Sequence, residues 1–325
     1  MTTAAMAPRR SPSRMAMHRR RHLAEARIGV VPIIWNNADL PGLAPRVPWQ
    51  AVLDEIERLG YEGTQRGIGF PSARELVVAL EQRGLRLAEI YVSLPCGPDG
   101  PAGDALDLAR RGLQALHDAN GDVLIVALAP SSDRDPYVGR AKEAPRLSDR
   151  GMEQLGELLD VLGRDVARLG HRLGFHNHAA TYIETGDELE NLLAVTQATQ
   201  VGLCLDVGHA ILGGADPVRL LERHADRLVH VHLKDVDPEP LAALRGSRLT
   251  GFAAALEERI FTPLGSGVLD LPAVLRSLDR HGYRGWLMVE QDTSWEPASE
   301  AAAIGRRVLE AALRWMAADA MEEVV

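Results

Sequence analysis

His176 and His178 stand one residue apart in "GFHNHAATYIET", directly after an apolar run. The pattern recurs in "LVHVHLKDV", where His230 and His232 alternate with valine and leucine and lead into Lys234 and Asp235. "LCLDVGH" sets Asp206 and His209 at the end of another apolar run, and "GWLMVEQD" does the same for Glu290 and Asp292. Residues two apart on a strand share a face, so each histidine pair points one way. Taken together, His176, Asp206, His232 and Glu290 are two imidazoles and two carboxylates with no thiolate nearby. Such donors suit a divalent ion of the manganese or cobalt kind and are compatible with zinc or iron.

A single strand histidine is usually a hydrogen-bonded core or rim group. Four candidate ligands at four successive strand ends argue for a metal centre instead. Only one histidine of each pair need bind the ion, which leaves its neighbour to contact substrate or to orient the ligand. Asp206 before Val-Gly also reads as a turn residue. Glu184 either reaches the site from the loop after His178 or belongs to the helix start that Thr185-x-x-Glu188 marks as a capping box. Lys142 and Lys234 are the only lysines among 36 basic residues. At Lys234 that bias points to a compact ammonium that approaches a substrate oxygen; the plain alternative is a salt bridge with Asp235.

These residues need elements that bring them together. From Arg27 on, eight short apolar runs, "RIGVVPIIW", "EGTQRG", "RLAEIYVSL", "DVLIVALAP", "RLGFHNH", "VGLCLDVGH", "LVHVHLKD" and "GWLMVEQD", read as strands. Amphipathic stretches such as "PWQAVLDEIERLG" and "LSDRGMEQLGELLDVLGRDVARLG" lie between them, several with Ser or Asp at the start and Gly at the end. Eight strand–helix alternations predict an α/β chain folded as a (β/α)8 TIM barrel in a single domain. Its chemistry belongs at the C-terminal strand ends. That edge makes Trp35, Asn36, Gln65, His209 and Asp235 candidate substrate contacts. No G-x-G-x-x-G follows the first strand, so neither a dinucleotide fold nor an organic cofactor is expected. The long stretch after the seventh strand, "VDPEPLAALRGSRLTGFAAALEERIFTPLGSG", is an excursion placed to cover a site.

The chain has 325 residues, 46% of them hydrophobic, and a formal charge of -9. That charge argues against a nucleic-acid partner, which needs a clustered basic surface. No run approaches the roughly 18 apolar residues of a membrane span, and the N-terminus lacks a signal-peptide core. Cys96 and Cys204 sit far apart in apolar runs as reduced thiols, which fits a cytoplasmic protein. Residues 1–26 are Arg-rich with Pro and Ser and read as a disordered basic arm, with the catalytic domain spanning 27–325. The expected partner is a small molecule, and a homo-oligomer is compatible with the sequence.

"GVVPIIWNNADLP", "YEGTQRGIGFP", "GFHNHAATYIET", the block from Leu203 to Val236 and "FTPLGSGVLDLPAVLRSLDRHGYRGWLMVEQD" together resemble the inosose dehydratase branch of the xylose-isomerase-like sugar isomerase/epimerase barrels. The resemblance runs from Arg27 to the end. It implies a metal-dependent enzyme acting on a cyclic polyol ketone, most specifically the dehydration of 2-keto-myo-inositol. Alternatives are isomerisation, epimerisation or elimination on another keto-sugar or 3-keto-glycoside, and, in a different class, a non-catalytic sugar or metal binder. Asp206, His232 and Glu290 match the superfamily's metal ligands. His176 stands where many isomerases have glutamate, and His178 and His209 match histidines that contact substrate. Gln65 replaces the glutamate of an "EGTELG" motif, and "HNHAAT" replaces "HPHVGT". A lyase then needs one base and one acid: Glu290, Glu184 or a metal-bound hydroxide for the first, His178 or Lys234 for the second.

Overall fold

The computed structural model describes residues 22–40 and 42–322. Eight parallel strands close into a barrel, each beside its neighbour in sequence and the first beside the eighth. They are Arg27–Val30, Gly63–Gln65, Arg86–Leu94, Val123–Leu128, Arg172–His176, Gly202–Asp206, Leu228–Leu233 and Trp286–Val289. All eight fall in the runs read as strands, so the expected (β/α)8 barrel is the fold the chain adopts.

Alternation within a strand divides the barrel into layers. On the fourth strand, Leu124, Val126 and Leu128 join the main core with the surrounding helices, whereas Val123 and Ile125 cluster with Cys204. The helices form where apolar residues recur three or four apart. In Asp149–Arg168, Leu155, Leu159, Leu162 and Val166 are buried, and Ser148 caps the start by accepting from Gly151 N at 3.1 Å. Helix Gly186–Val195 starts at the capping box foreseen at Thr185 and Glu188.

The excursion after the seventh strand is a folded subunit of the barrel rim. It holds helices Pro238–Arg245 and Phe252–Glu257 and a two-stranded antiparallel pair, Asp235–Val236 with Phe261–Thr262. Leu241, Leu244, Phe252 and Phe261 build a second apolar cluster with Ala179 and Ala180 of the loop after the fifth strand. The excursion therefore backs the site from behind, and none of its residues lines the central cavity.

Of the stretch 1–26 expected to be a solvated arm, residues 1–21 lie outside the described residues. Residues His22–Glu25 form one 3-10 turn in which Leu23 is buried and its backbone N–H donates to Asp279 Oδ1 at 3.1 Å. Cys96 and Cys204 are both free thiols. Among the described residues no helix is long and apolar enough to cross a membrane.

Candidate metal centre

Strands five to eight end at similar depth, and each delivers one donor to a common point. His176 and Asp206 are the last residues of their strands, His232 stands opposite Asp206 in register, and Glu290 follows the eighth strand directly. A register shift on the sixth and seventh strands passes over Val229 and produces the Asp206–His232 pairing. His176 Nε2 lies 3.5 Å from Asp206 Oδ2, and His232 Nδ1 lies 3.8 Å from that oxygen and 2.6 Å from Glu290 Oε2. One donor atom from each of the four falls within 4.8 Å of all the others.

Three of the four, Asp206, His232 and Glu290, are held by one atom and leave another free. Asp206 Oδ1 caps helix Val207–Leu212 by accepting from His209 N at 2.7 Å, so the turn reading of Asp206 holds together with the ligand reading. Asn177 grips the Asp206 backbone from both sides, at 3.1 Å each. Glu290 Oε1 lies 3.2 Å from Lys234 Nζ, and His232 Nε2 lies 2.9 Å from Glu89 Oε2. What remains, Asp206 Oδ2, His232 Nδ1 and Glu290 Oε2, is buried without a hydrogen-bond partner. Buried polar atoms are rarely left so. Three orphaned donors beside a fourth imidazole, with no thiolate, fit a divalent cation.

Electrostatics agree. Burial alone would raise Asp206 and Glu290, but the Lys234 ammonium holds Asp206 well below the usual carboxylate range and, with His232, holds Glu290 at about 2. Both are therefore anionic, as ligands must be. Lys234 itself is buried, yet Asp206, Asp292 and Glu290 keep it charged. Its ammonium lies 2.7 Å from Asp292 and 4.6 Å above the Phe261 ring. Gly208 makes room for it, since a Cβ there would come within 2.7 Å of the Lys234 stem. The salt bridge considered between Lys234 and Asp235 does not form.

His176, His232 and Glu290 line a cavity of about 300 Å³ whose walls also include Asn36, Gln65, Arg66, Tyr91, His178 and Asp292, and Asp206 adjoins those three ligands without reaching the wall. His178 donates from Nδ1 to Ala179 O at 2.8 Å, which leaves Nε2 as an acceptor. Burial, with His176 and Lys234 nearby, lowers its pKa to about 3. A neutral imidazole accepts a proton rather than giving one, which weighs against the acid role expected of His178. Asp292 moves the other way: burial and the Glu290 charge raise it well above the ordinary range despite Lys234.

Five candidates read from strand-edge position or loop proximity do not reach the cavity wall. Trp35 is buried and its indole N–H donates to Ser299 Oγ at 3.2 Å, against the last helix. Asp235 accepts from the backbone of Val236, Gly265, Gly267 and Leu269, tying down the return of the excursion. His209 lies behind His178, ring centroids 3.9 Å apart, with Nε2 3.0 Å from Lys234 Nζ. Lys234 stands beneath the carboxylates rather than at the wall. Glu184 is turned toward Arg134 at 3.7 Å and accepts from Ala180 N, and burial raises its pKa to about 8. Asn36 does line the cavity, but its amide is occupied twice by Val47.

Sequence reasoning passed over the third strand. Glu89, Tyr91 and Ser93 share its inward face; Tyr91 meets His176 edge-on at 5.6 Å, and Tyr91 and Ser93 line the cavity. A carboxylate in the otherwise apolar run "RLAEIYVSL" was the available signal.

A sequence model of the xylose isomerase-like TIM barrel family matches residues 53–317. The chain is 35% identical to the rhizopine catabolism protein MocC of Rhizobium meliloti over 279 residues, 84% of this chain and 83% of that one. It is also 35% identical to the inosose dehydratase of Geobacillus kaustophilus over 272 residues, 82% and 87% of the two chains. Among solved structures, an L-ribulose 3-epimerase superposes with TM-score 0.69 at 16% identity, covering 92% of this chain and 98% of its own. The IOLI protein with a binding zinc atom does so with TM-score 0.65 at 13% identity, covering 88% and 97%. The chain belongs to the xylose isomerase-like TIM barrel family, in the branch of the inosose dehydratases.

Proposed function

We propose that this protein is a divalent-metal-dependent carbon–oxygen lyase that dehydrates a cyclic polyol ketone, 2-keto-myo-inositol (scyllo-inosose) first among them. The observation that carries the reading is the cluster of His176, Asp206, His232 and Glu290, in which Asp206 Oδ2, His232 Nδ1 and Glu290 Oε2 are orphaned, at the edge of a cavity the size of a small polyol. The relatives named inosose dehydratase, at up to 35% identity over most of the chain, support the substrate. Two carboxylates and two imidazoles favour manganese or cobalt, and the zinc of the IOLI protein keeps zinc on the list. Two free thiols and an acidic chain support work in the cytoplasm without a nucleic-acid partner.

When bound, a divalent ion in this donor set supplies Lewis acidity to a ketone oxygen and so acidifies the neighbouring C–H. His178, on the cavity wall with Nδ1 engaged by Ala179 O, is the acceptor for that proton. Asp292, on the cavity wall with its pKa raised by burial, is the group that gives a proton to the β-hydroxyl as its C–O bond breaks, so water leaves and a C=C bond forms. Lys234 stays charged and holds Asp206, Glu290 and Asp292 in place. Tyr91 fixes the His176 ring from its edge.

The wall formed by Gln65 and Arg66 favours a second reading. Arg66 lines the cavity, and among the described residues its side chain has one hydrogen bond, to Pro71 O at 3.2 Å, and no ion pair. A guanidinium left open in a binding cavity suits a ketone with an acidic or electron-rich substituent.

The experiment is an assay of manganese- or cobalt-loaded protein on scyllo-inosose, following the unsaturated diketone by absorbance against a chelated control. Turnover that the chelator abolishes supports dehydration. Stoichiometric metal without turnover moves the reading to a substituted ketone.

A further inference from the structure

Glu89 and His230 have no place in the chemistry above, yet both are fully buried at the barrel centre. That region of such barrels is normally filled by branched aliphatic side chains. A carboxylate there carries a desolvation cost of several kcal/mol unless its partners offset it. We propose that Glu89, backed by His230, is the positioning unit that fixes the His232 ring and strengthens it as a ligand; this rests on the metal reading of His176, Asp206, His232 and Glu290.

One oxygen does the work. Glu89 Oε2 lies 2.9 Å from His232 Nε2 and 2.6 Å from His230 Nε2. The first contact is a hydrogen bond and the second a close charge contact, and since a carboxylate oxygen only accepts, His232 Nε2 carries its hydrogen. An ion bound at the site would then take the lone pair on Nδ1, the atom aimed at Asp206 and Glu290. Hydrogen bonding of this kind fixes a ligand's tautomer and raises its basicity. His230 Nε2, 2.6 Å from the same oxygen, keeps Glu89 from turning its other oxygen, which has no partner, toward His232.

Backbone geometry points the same way. Both register irregularities in the barrel fall beside this trio, one where Gln65 comes opposite Glu89 and one where His230 comes opposite Cys204. Bulges near active sites re-aim side chains. Glu89, His230 and His232 also lie close enough together to be considered as a second ion site. Neither Glu89 nor His230 lines the cavity, and Glu89 is already hydrogen-bonded to His232, so we assign the trio to holding the His232 ring.

The test is competition of Co²⁺ against a chromophoric chelator, with the visible spectrum of the cobalt protein as second readout. Glu89→Gln keeps the shape and removes the charge. It should weaken Co²⁺ binding about 10- to 100-fold and shift the cobalt bands, which a purely structural core residue would not do. His230→Asn should weaken binding less, and the double variant should bind no more weakly than Glu89→Gln alone, because both act through one oxygen. Wild-type affinity and an unchanged spectrum in Glu89→Gln would overturn the assignment. If Glu89→Gln does not fold, His230→Asn decides: an affinity loss above about threefold supports the unit, and wild-type affinity and spectrum overturn it. No Co²⁺ uptake by the unmutated protein would instead remove the four-ligand reading on which the assignment rests.

Discussion

Two buried charge clusters lie within the C-terminal rim of the barrel, and they differ in what they leave unsatisfied. In one, the Arg134 guanidinium forks onto both oxygens of Glu188 at 2.8 and 3.0 Å, donates to Pro145 O and lies 3.7 Å from Glu184. The pairing turns inward and ties the loop after the fifth strand to the helix Gly186–Val195. In the other, Asp206, His232 and Glu290 keep donor atoms unpartnered beside His176 at the edge of a cavity, although Lys234 stands close to the two carboxylates with enough charge for a closed ion network. Burial and charge are common to both clusters. Orphaned donors converging on open space mark the second as the place for chemistry.

The comparison breaks most sharply at the ligands. His232→Ala should lose its metal and at least about 10³-fold in turnover, since the ion supplies several kcal/mol of transition-state stabilisation; metal content and activity of the same sample check this. A variant that keeps full activity without metal would erase the distinction between the clusters. Arg134→Met should show the converse. Removing one partner of a buried pair costs about 3–5 kcal/mol, so its midpoint of unfolding should fall steeply while metal content per folded molecule stays unchanged.

Lys234 links the two kinds of behaviour. Lys234→Met should destabilise metal-free protein by about 3–5 kcal/mol, and the loss should be smaller with metal bound, because the ion neutralises the same carboxylates; paired melts with and without Mn²⁺ read this directly. Equal losses in both states would place Lys234 in the structural class. The smallest effect is expected at Glu184. Its pKa is raised from 4.5 to about 8 by burial, so the folded state holds a proton that the unfolded chain has lost. The stability it contributes is present below pH 4.5 and is lost as pH rises through about 8. Glu184→Gln should flatten that alkaline decline in urea melts and leave turnover within about twofold; a large fall in turnover would return Glu184 to the site.

The same contrast explains what could be read from the sequence. Strand–helix alternation gives the barrel, and the barrel's edge rule gives height along the axis, which is why His176, Asp206, His232 and Glu290 converge as read. Height is not direction. Trp35 and Asp235 stand at the proper edge, but the loops after them turn their side chains to Ser299 and to the excursion's backbone. His209 and Lys234 point inward yet end one layer below the cavity, a depth that depends on side-chain packing against Phe252 and Phe261. Glu89 escaped attention for the opposite reason, since it sits mid-strand, where the edge rule does not look.

The most direct test of the central claim is an anomalous difference map from crystals grown with Mn²⁺. The predicted result is one strong peak bounded by His176 Nε2, Asp206 Oδ2, His232 Nδ1 and Glu290 Oε2, at about 2.0–2.2 Å from each. No peak there, or a peak held by other residues with these four atoms left apart, would contradict the account.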